Sequence, residues 1–280
     1  MGITAQDIKK LRDMTGAGMM DCKKALSEAD GDFEKAIEEL RKKGQKLSAK
    51  RADREAKEGV VIAETSEDRS NGIVIKLSCE TDFVAKNDDF VALGKTIAGI
   101  ALKNLPDTKD ELLALPFDDT INVGDKVIEQ VGVIGEKVEV LEYEKIVTAA
   151  GEGQVLSYIH MGYKAGVLVA LNMAGDQFVE AGRDVAMQVA AMKPIALDKD
   201  GVDASIVEKE IEIGKEVARQ EGKPEEMLEK IATGKLNKFF KENTLLNQMF
   251  VKSNKQSIKA YLESQDSNLT VTSFKHVKLG

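Results

Sequence analysis

The chain contains few side chains with the chemistry of catalysis or metal binding. Its only histidines, His160 and His276, are far apart in the sequence, and so are its only cysteines, Cys22 and Cys79. Zinc sites and disulfide frameworks need closely spaced sets of such residues, and no phosphate-binding or nucleophile motif occurs. We therefore predict no catalytic residue, no metal site, no cofactor and no enzymatic activity. His160, just before a predicted strand, is interpreted as a turn residue.

One short segment does combine an aromatic ring, a carboxylate and turn-forming residues. It consists of Thr81, Asp82, Phe83 and Val84. The segment follows a buried strand that the β-branched, apolar run at residues 72–79 predicts. Because turn formers cannot continue that strand, we predict that Phe83 lies on a loop at its end, where functional side chains concentrate. The alternative is that Phe83 folds back into the local core, as most aromatic side chains do.

This strand and loop belong to an internal repeat. The run GIVIKL at Gly72 is echoed by GVLVAL at Gly166, and FVALGK at Phe90 is echoed by FVEAGR farther along the chain. Both copies predict a strand, a loop and a helix. The two echoed runs are 18 residues apart in the first copy and 12 in the second. We place the six extra residues in the loop with Phe83 and expect them to serve a purpose other than folding.

Composition and charge limit the classes of function. A chain of 280 residues with 42% hydrophobic content can form two or three folded domains. Its net charge of -8 disfavours nucleic acid as a direct partner, because phosphate binding needs a basic surface. No signal segment is recognised and no apolar run approaches the roughly 20 residues that span a bilayer, so we expect no membrane association and a cytoplasmic location.

The predicted fold is α+β with several domains. Residues 1–45 form three short helices, the third ending near Gly44. The rest divides into a basic linker at 46–57, a first α/β subdomain at 58–140, and a second one at 141–280 with a projecting helical hairpin at 203–232. Further expected elements are a helix over 125–134, a strand over 138–147, a helix near 258–262 and a strand near 269–277.

Two features near the N-terminus allow more than one interpretation. Three short helices bury too little core for both Met19 and Met20, so one methionine is either a partly exposed core residue or a flexible contact surface. Residues 41–57 carry eight basic and two acidic side chains, which indicates a solvated, partly helical linker. A nucleic-acid patch is the alternative there, and a general RNA- or ribosome-binding protein is the corresponding alternative function.

Four segments, in order along the chain, carry a family resemblance. They are LRDMTGAGMMDCKKAL at 11–26, TDFVAK at 81–86, YIH at 158–160 with GVLV at 166–169, and GKLNKF at 234–239. With these motifs the chain resembles the elongation factor Ts family, the guanine nucleotide exchange factors for the GTPase elongation factor Tu. The resemblance implies an N-terminal ubiquitin-associated-like domain of three helices and two related α/β subdomains with a helical projection.

The resemblance also implies a partner and a mechanism. Elongation factor Tu, GDP-bound or nucleotide-free, would be the partner, and residues 81–84 would enter it near its nucleotide-bound magnesium. There Phe83 would act as a wedge, Asp82 would engage partner side chains, and GDP would leave so that GTP can bind. Mg²⁺ demands near-ideal octahedral geometry, so a small displacement of its ligands would weaken nucleotide binding.

Other implied details concern the rest of the interface. The further partner contacts would be Met19, Met20, Asp21, Lys23, Ile134 and His160. The family forms one-to-one and two-to-two complexes, so dimerisation within a two-to-two complex stays open. Lys137 and Met249 depart from the family pattern, which commonly has asparagine and proline at these positions, and they affect the turn after Ile134 and the C-terminal contact.

Overall fold

The structure, a computed structural model, describes residues 3–149 and 151–280 and has the predicted α+β composition. The strands are β1 (Glu58–Thr65), β2 (Asn71–Cys79), β3 (Glu139–Val147), β4 (Gln154–Ile159), β5 (Ala165–Leu171) and β6 (Val271–Lys278). The helices are α1 (Ala5–Thr15), α2 (Met19–Glu28), α3 (Phe33–Arg51), α4 (Asp82–Ala85), α5 (Asp88–Asn104), α6 (Lys109–Ala114), α7 (Val123–Ile134), α8 (Val179–Met192), α9 (Ala204–Gln220), α10 (Glu225–Asn243) and α11 (Ile258–Gln265). Among the described residues, no helix combines the length and apolarity needed to cross a membrane.

Two antiparallel sheets of the same order, β1-β2-β3 and β4-β5-β6, form the centre of the molecule. The sheets face each other across a buried apolar layer that includes Val61, Val74, Val155 and Leu168. Helix α5 covers the outer face of the first sheet, and α8 covers the outer face of the second. The predicted duplication of a strand and a helix is confirmed.

The repeated glycines lie where the two sheets approach most closely. A Cβ atom on Gly72 would lie 2.6 Å from Val155 Cγ1, and one on Gly166 would lie 2.8 Å from Val61 Cγ1. Real side chains do not come this close, so each glycine leaves room for a valine of the opposite sheet. The glycine at the start of each repeat is therefore needed for the packing of the two sheets, in addition to marking the start of the repeated strand.

The six extra residues of the first copy are not confined to the loop with Phe83, as the repeat suggested. Counted from the repeated glycine, β2 extends two residues farther than β5, and the segment between strand and helix is one residue longer. The remaining three extra residues come from the position of the repeated phenylalanine, because Phe90 is the third residue of α5 whereas Phe178 directly precedes α8. Both phenylalanines are buried. Loop length alone is thus a poor sign of function here.

Helix α3 continues past Gly44 to Arg51, so the predicted helix end is wrong. A Cβ atom on Gly44 would lie 3.0 Å from the carbonyl oxygen of Ile128, and one on Gly132 would lie 3.1 Å from the Gly44 Cα atom. Gly44 therefore marks a close crossing of α3 and α7 rather than a C-cap. The N-terminal helices are packed against the first subdomain through this crossing.

The basic segment after Gly44 is partly helical and mostly exposed, as predicted, but it is also bonded to the rest of the fold. Residues 46–51 are helical, and the Arg51 guanidinium pairs with the Glu80 carboxylate at 2.6 Å. The ammonium of Lys137 donates to the carbonyl oxygens of Ala52 and Arg54 at 3.1 and 3.2 Å. These bonds fasten the segment to the first subdomain.

Two other predicted boundaries also differ from those in the structure. Strand β3 crosses the boundary expected between residues 140 and 141, because its residues up to Val147 pair with β2. The first subdomain therefore extends to residue 147. Helix α10 continues to Asn243, beyond the expected end of the hairpin at residue 232.

The sheet interface generates a stability prediction. Gly166→Ala places a methyl group against Val61 and Val74, and we expect this overpacking to lower the free energy of unfolding by about 1–3 kcal/mol in urea denaturation. Gly99→Ala in α5 is the matched control, because no heavy atom outside its own helix lies within 4 Å of the added Cβ. Alanine is the better helix former, so this variant should be unchanged or more stable. Equal stability of the two variants would contradict the close packing.

Candidate partner-binding site

The segment with Phe83 forms the single helical turn α4 directly after β2. Thr81 is its N-cap residue, and the carbonyl oxygen of Thr81 accepts a hydrogen bond from the amide of Ala85 at 3.2 Å. The turn closes as the amide of Lys86 donates to the carbonyl oxygen of Asp82 at 3.1 Å. The predicted position of Phe83 at the end of the strand is confirmed, but the segment is a helical turn and not an irregular loop.

The Glu136 carboxylate anchors the start of this turn. It accepts hydrogen bonds from the amides of Glu80 and Thr81 at 3.1 and 3.0 Å, and from the Thr81 hydroxyl at 2.6 Å. Burial opposes ionisation of Glu80, but hydrogen bonds from the Lys137 amide and the Arg51 side chain outweigh it and lower the pKa of Glu80. The sequence analysis did not identify Glu136, because no local pattern connects it with a turn that lies 55 residues away.

Phe83 projects from this anchored turn into solvent, with 84% of its surface exposed. The alternative in which its ring fills the local core is therefore wrong. The side chain of its neighbour Val84 packs against the core of the first subdomain instead. The Asp82 carboxylate pairs with the Lys86 ammonium at 2.6 Å, and this hydrogen bond and charge lower the pKa of Asp82. The turn thus presents an unburied aromatic ring beside an ionised carboxylate.

A groove of about 700 Å³ runs beside Phe83, between the N-terminal helices and the first subdomain. Phe83, Val84 and Ile134 line one side of it. Met14 and Gly16, in and after α1, line the other side, and Met14 is 55% exposed. Three of the predicted site residues therefore share one concave surface. Met14 belongs to the same surface, although the sequence analysis did not identify it.

The two adjacent methionines of α2 are both exposed, Met19 by 43% and Met20 by 75%. The small core of the first three helices is formed by Leu11, Ala17, Cys22, Ala25, Leu26, Ala29 and Ala36. The interpretation of one methionine as a core residue is therefore wrong. Lys23 is also exposed, while Asp21 pairs with Lys43 of α3. Met19, Met20 and Lys23 lie outside the groove lining.

His160 lies apart from the groove, at the tip of the hairpin between β4 and β5. It is exposed, and its Nδ1 atom shares a 3.2 Å hydrogen bond with the Tyr158 hydroxyl. The next residue, Met161, is 86% exposed and was not singled out from the sequence. Tyr163 of the same tip packs against the core of the first subdomain. The tip is thereby held at the junction of the two subdomains.

The described residues offer binding chemistry rather than reactive groups near Phe83. The closest thiol, that of Cys79, is buried, which raises its pKa to about 12, and it donates a hydrogen bond to the Thr81 carbonyl oxygen at 3.2 Å. Within residues 3–149 and 151–280, no three His, Cys, Asp or Glu side chains come together as potential metal ligands. An exposed ring, a carboxylate and a groove lined by both apolar and polar side chains are suited to contact with another macromolecule.

Comparison with known proteins gives one consistent result. The family described as Elongation factor TS matches residues 80–280. The chain is 56% identical over 278 residues to an Elongation factor Ts of Cytophaga hutchinsonii, with 99% of each chain covered. It is 54% identical over 279 residues to that of Flavobacterium psychrophilum, again with 99% of each covered. The Elongation factor Ts of Chloroherpeton thalassium is 42% identical, with 96% of this chain and 94% of the relative covered.

The anchoring of α4 can be tested without any partner. Glu136→Ala removes three hydrogen bonds from the start of the turn, so the amides of Glu80 and Thr81 should exchange with solvent at least about tenfold faster in hydrogen-exchange measurements. Glu180→Ala, at an exposed position of α8, is the control and should leave both amides protected. Unchanged exchange in Glu136→Ala would show that the turn is held by something else.

Proposed function

The chain belongs to the elongation factor Ts family, and on this premise we propose that it binds elongation factor Tu and promotes release of GDP so that GTP can bind. Family membership supports a role in translation elongation, a process of the cytoplasm. The observation that carries the finer proposal is the 84% exposure of Phe83 on a turn whose start is anchored by Glu136.

Phe83 supplies binding energy that the free protein leaves unused. Full burial of a phenylalanine ring is worth roughly 1.5–3 kcal/mol, and Phe83 gains almost none of this within its own chain. The anchored turn loses little conformational freedom on binding, so more of that energy is available for displacing elements of the partner. A rigidly held apolar side chain is therefore suited to displacing elements of the partner.

The GTPase is sensitive to such a wedge because of its metal. Mg²⁺ is held by a few protein ligands together with nucleotide phosphate, in near-ideal octahedral geometry. We propose that residues 81–84 enter beside this ion, where Phe83 shifts neighbouring helices and Asp82 exchanges its bond with Lys86 for partner side chains. No bond of the nucleotide is broken, and no residue of this chain acts as a catalyst.

Other exposed or partly exposed residues extend the proposed interface. Met19, Met20, Asp21 and Lys23 would contact the GTPase from the N-terminal helices, which we assign as the ubiquitin-associated-like domain of the family. Ile134 would add an apolar contact within the groove beside Phe83. His160 would contact the partner from the second subdomain. Both one-to-one and two-to-two complexes are compatible with this arrangement.

The central prediction concerns Phe83. With saturating Phe83→Ala, a fluorescent GDP analogue should dissociate from purified elongation factor Tu at least about tenfold more slowly than with the saturating unchanged chain, because the wedge is lost. The free energy of unfolding of Phe83→Ala should stay within about 0.5 kcal/mol of the original, because the ring is exposed. Val147→Ala is the matched control, since Val147 is 55% exposed at the opposite end of the first sheet. Full exchange activity of Phe83→Ala would refute the wedge, and no acceleration by the unchanged chain would refute the function.

A second prediction follows from thermodynamic coupling. If the chain weakens nucleotide binding to the GTPase by some factor, nucleotide must weaken binding of the chain by the same factor. Titration of GDP into the preformed complex should therefore release this chain, as followed by size-exclusion chromatography. Calorimetry should detect no GDP binding to the isolated chain. A complex that persists in saturating GDP would contradict exchange by reciprocal coupling.

A further inference from the structure

The end of helix α3 meets the segment that carries Phe83 at the carboxylate of Glu80. Glu80 directly precedes Thr81, the N-cap residue of α4, and its side chain is only 17% exposed. Its Oε1 atom accepts two hydrogen bonds of 2.6 Å, one from the guanidinium of Arg51 and one from the backbone amide of Lys137. Hydrogen bonds to a charged acceptor are among the stronger ones in proteins. Glu80 therefore joins the end of α3, the end of β2 and the turn after α7.

Further hydrogen bonds close this arrangement into a ring. The Lys137 ammonium donates to the carbonyl oxygens of Ala52 and Arg54, directly after α3. The Glu136 carboxylate accepts from the amide of Glu80 at 3.1 Å. The segments that carry these two carboxylates thus each accept a backbone hydrogen bond from the other, and both segments are bonded to the end of α3. We call this set of side chains the Glu80 junction; it consists of Arg51, Glu80, Glu136 and Lys137.

The ion pair of the Glu80 junction differs from many others of this chain. Several of those join exposed side chains one turn apart on a single helix, and such pairs contribute little to stability. Arg51 and Glu80 are 29 residues apart in the sequence, and their side chains are 29% and 17% exposed. Removing one partner of a mostly buried pair is costly, because the other charge stays buried. The pair therefore constrains both segments that it joins.

The two sides of the Glu80 junction carry different parts of the proposed interface. Helix α3 belongs to the N-terminal helices, which present Met19 and Met20, and Glu80 lies three residues before Phe83. Coupling between two such regions needs a physical connection that both of them influence. We propose that Arg51 is a positioning residue, which holds Glu80 and thereby keeps the turn with Phe83 in an orientation set by the N-terminal helices. The effect on GDP release rests on the proposed function, whereas the ordering of α4 is a property of the free chain.

Hydrogen exchange of the free chain tests the ordering of α4. Arg51→Met keeps an apolar stem and removes the charge and the donors. The amides of Ala85 and Lys86, whose hydrogen bonds close α4, should then exchange about fivefold or more faster. Arg219→Met is the matched control, because Arg219 pairs with the Glu225 carboxylate at 2.8 Å on the helical hairpin, and it should leave both amides protected. Faster exchange confined to the last turn of α3 would overturn the proposal, because Arg51 would then fasten only its own helix.

A double variant separates the lost connection from the effect of an unpaired charge. Without Arg51, Glu80 is a mostly buried carboxylate that lacks its cation. When Arg51→Met is combined with Glu80→Gln, the charge is gone, and the amide oxygen of the new side chain can still accept from Lys137. We expect α4 to exchange as fast as in Arg51→Met alone, because the connection to α3 is missing in both. Recovery of protection in the double variant would overturn the proposal.

Nucleotide release then tests the consequence for the partner. With saturating Arg51→Met, a fluorescent GDP analogue should dissociate from elongation factor Tu about threefold or more slowly than with the unchanged chain, while the half-saturating concentration stays within about twofold. Arg219→Met should match the unchanged chain in both quantities. A maximal rate equal to that of the unchanged chain would overturn the positioning role. If the unchanged chain does not accelerate release, the proposed function fails, and hydrogen exchange in α4 still decides whether Arg51 positions the turn.

Discussion

The close packing of two small sheets is the constraint on which the rest of this protein depends. Neither three-stranded sheet could bury both of its faces alone, and each covers the inner face of the other. The contact is possible because Gly72 and Gly166 leave room for valines of the opposite sheet. The outer faces are then free to receive α5 and α8, and the loops at the ends of the strands are placed on a rigid frame.

This frame positions the exposed residues relative to one another. Phe83 follows the central strand of the first sheet, and His160 follows a strand of the second. The hairpin with His160 is held to the first subdomain by Tyr163, whose ring packs against that core. The N-terminal helices are held by the crossing of α3 and α7 at Gly44. The three regions are therefore fixed relative to one another, so a partner that contacted all of them would lose little free energy in ordering them.

Exposed apolar side chains on anchored backbone recur in this structure. Phe83 lies on a turn fixed by Glu136, and Met249 lies on a segment fixed by Gln188. In both places polar groups that would be costly to bury alone fix the backbone that carries an exposed apolar side chain. Hydrogen bonds thus fix the geometry, and the unburied apolar area is what a bound partner would remove from water.

Local sequence patterns determined most elements of this fold, because alternation and helical spacing act over a few neighbouring residues. They predicted β3 and α7 closely, and they placed Phe83 at the end of β2. Whether Phe83 was exposed or buried, and whether Gly44 ended α3, could not be decided locally. A glycine has the same sequence signature at a helix end and at a helix crossing, and only the presence of α7 beside Gly44 distinguishes them. The anchor at Glu136 and the bonds from Gln188 to Met249 and Val251 were decided by tertiary structure for the same reason, since each joins segments that are distant in sequence and become neighbours only through packing.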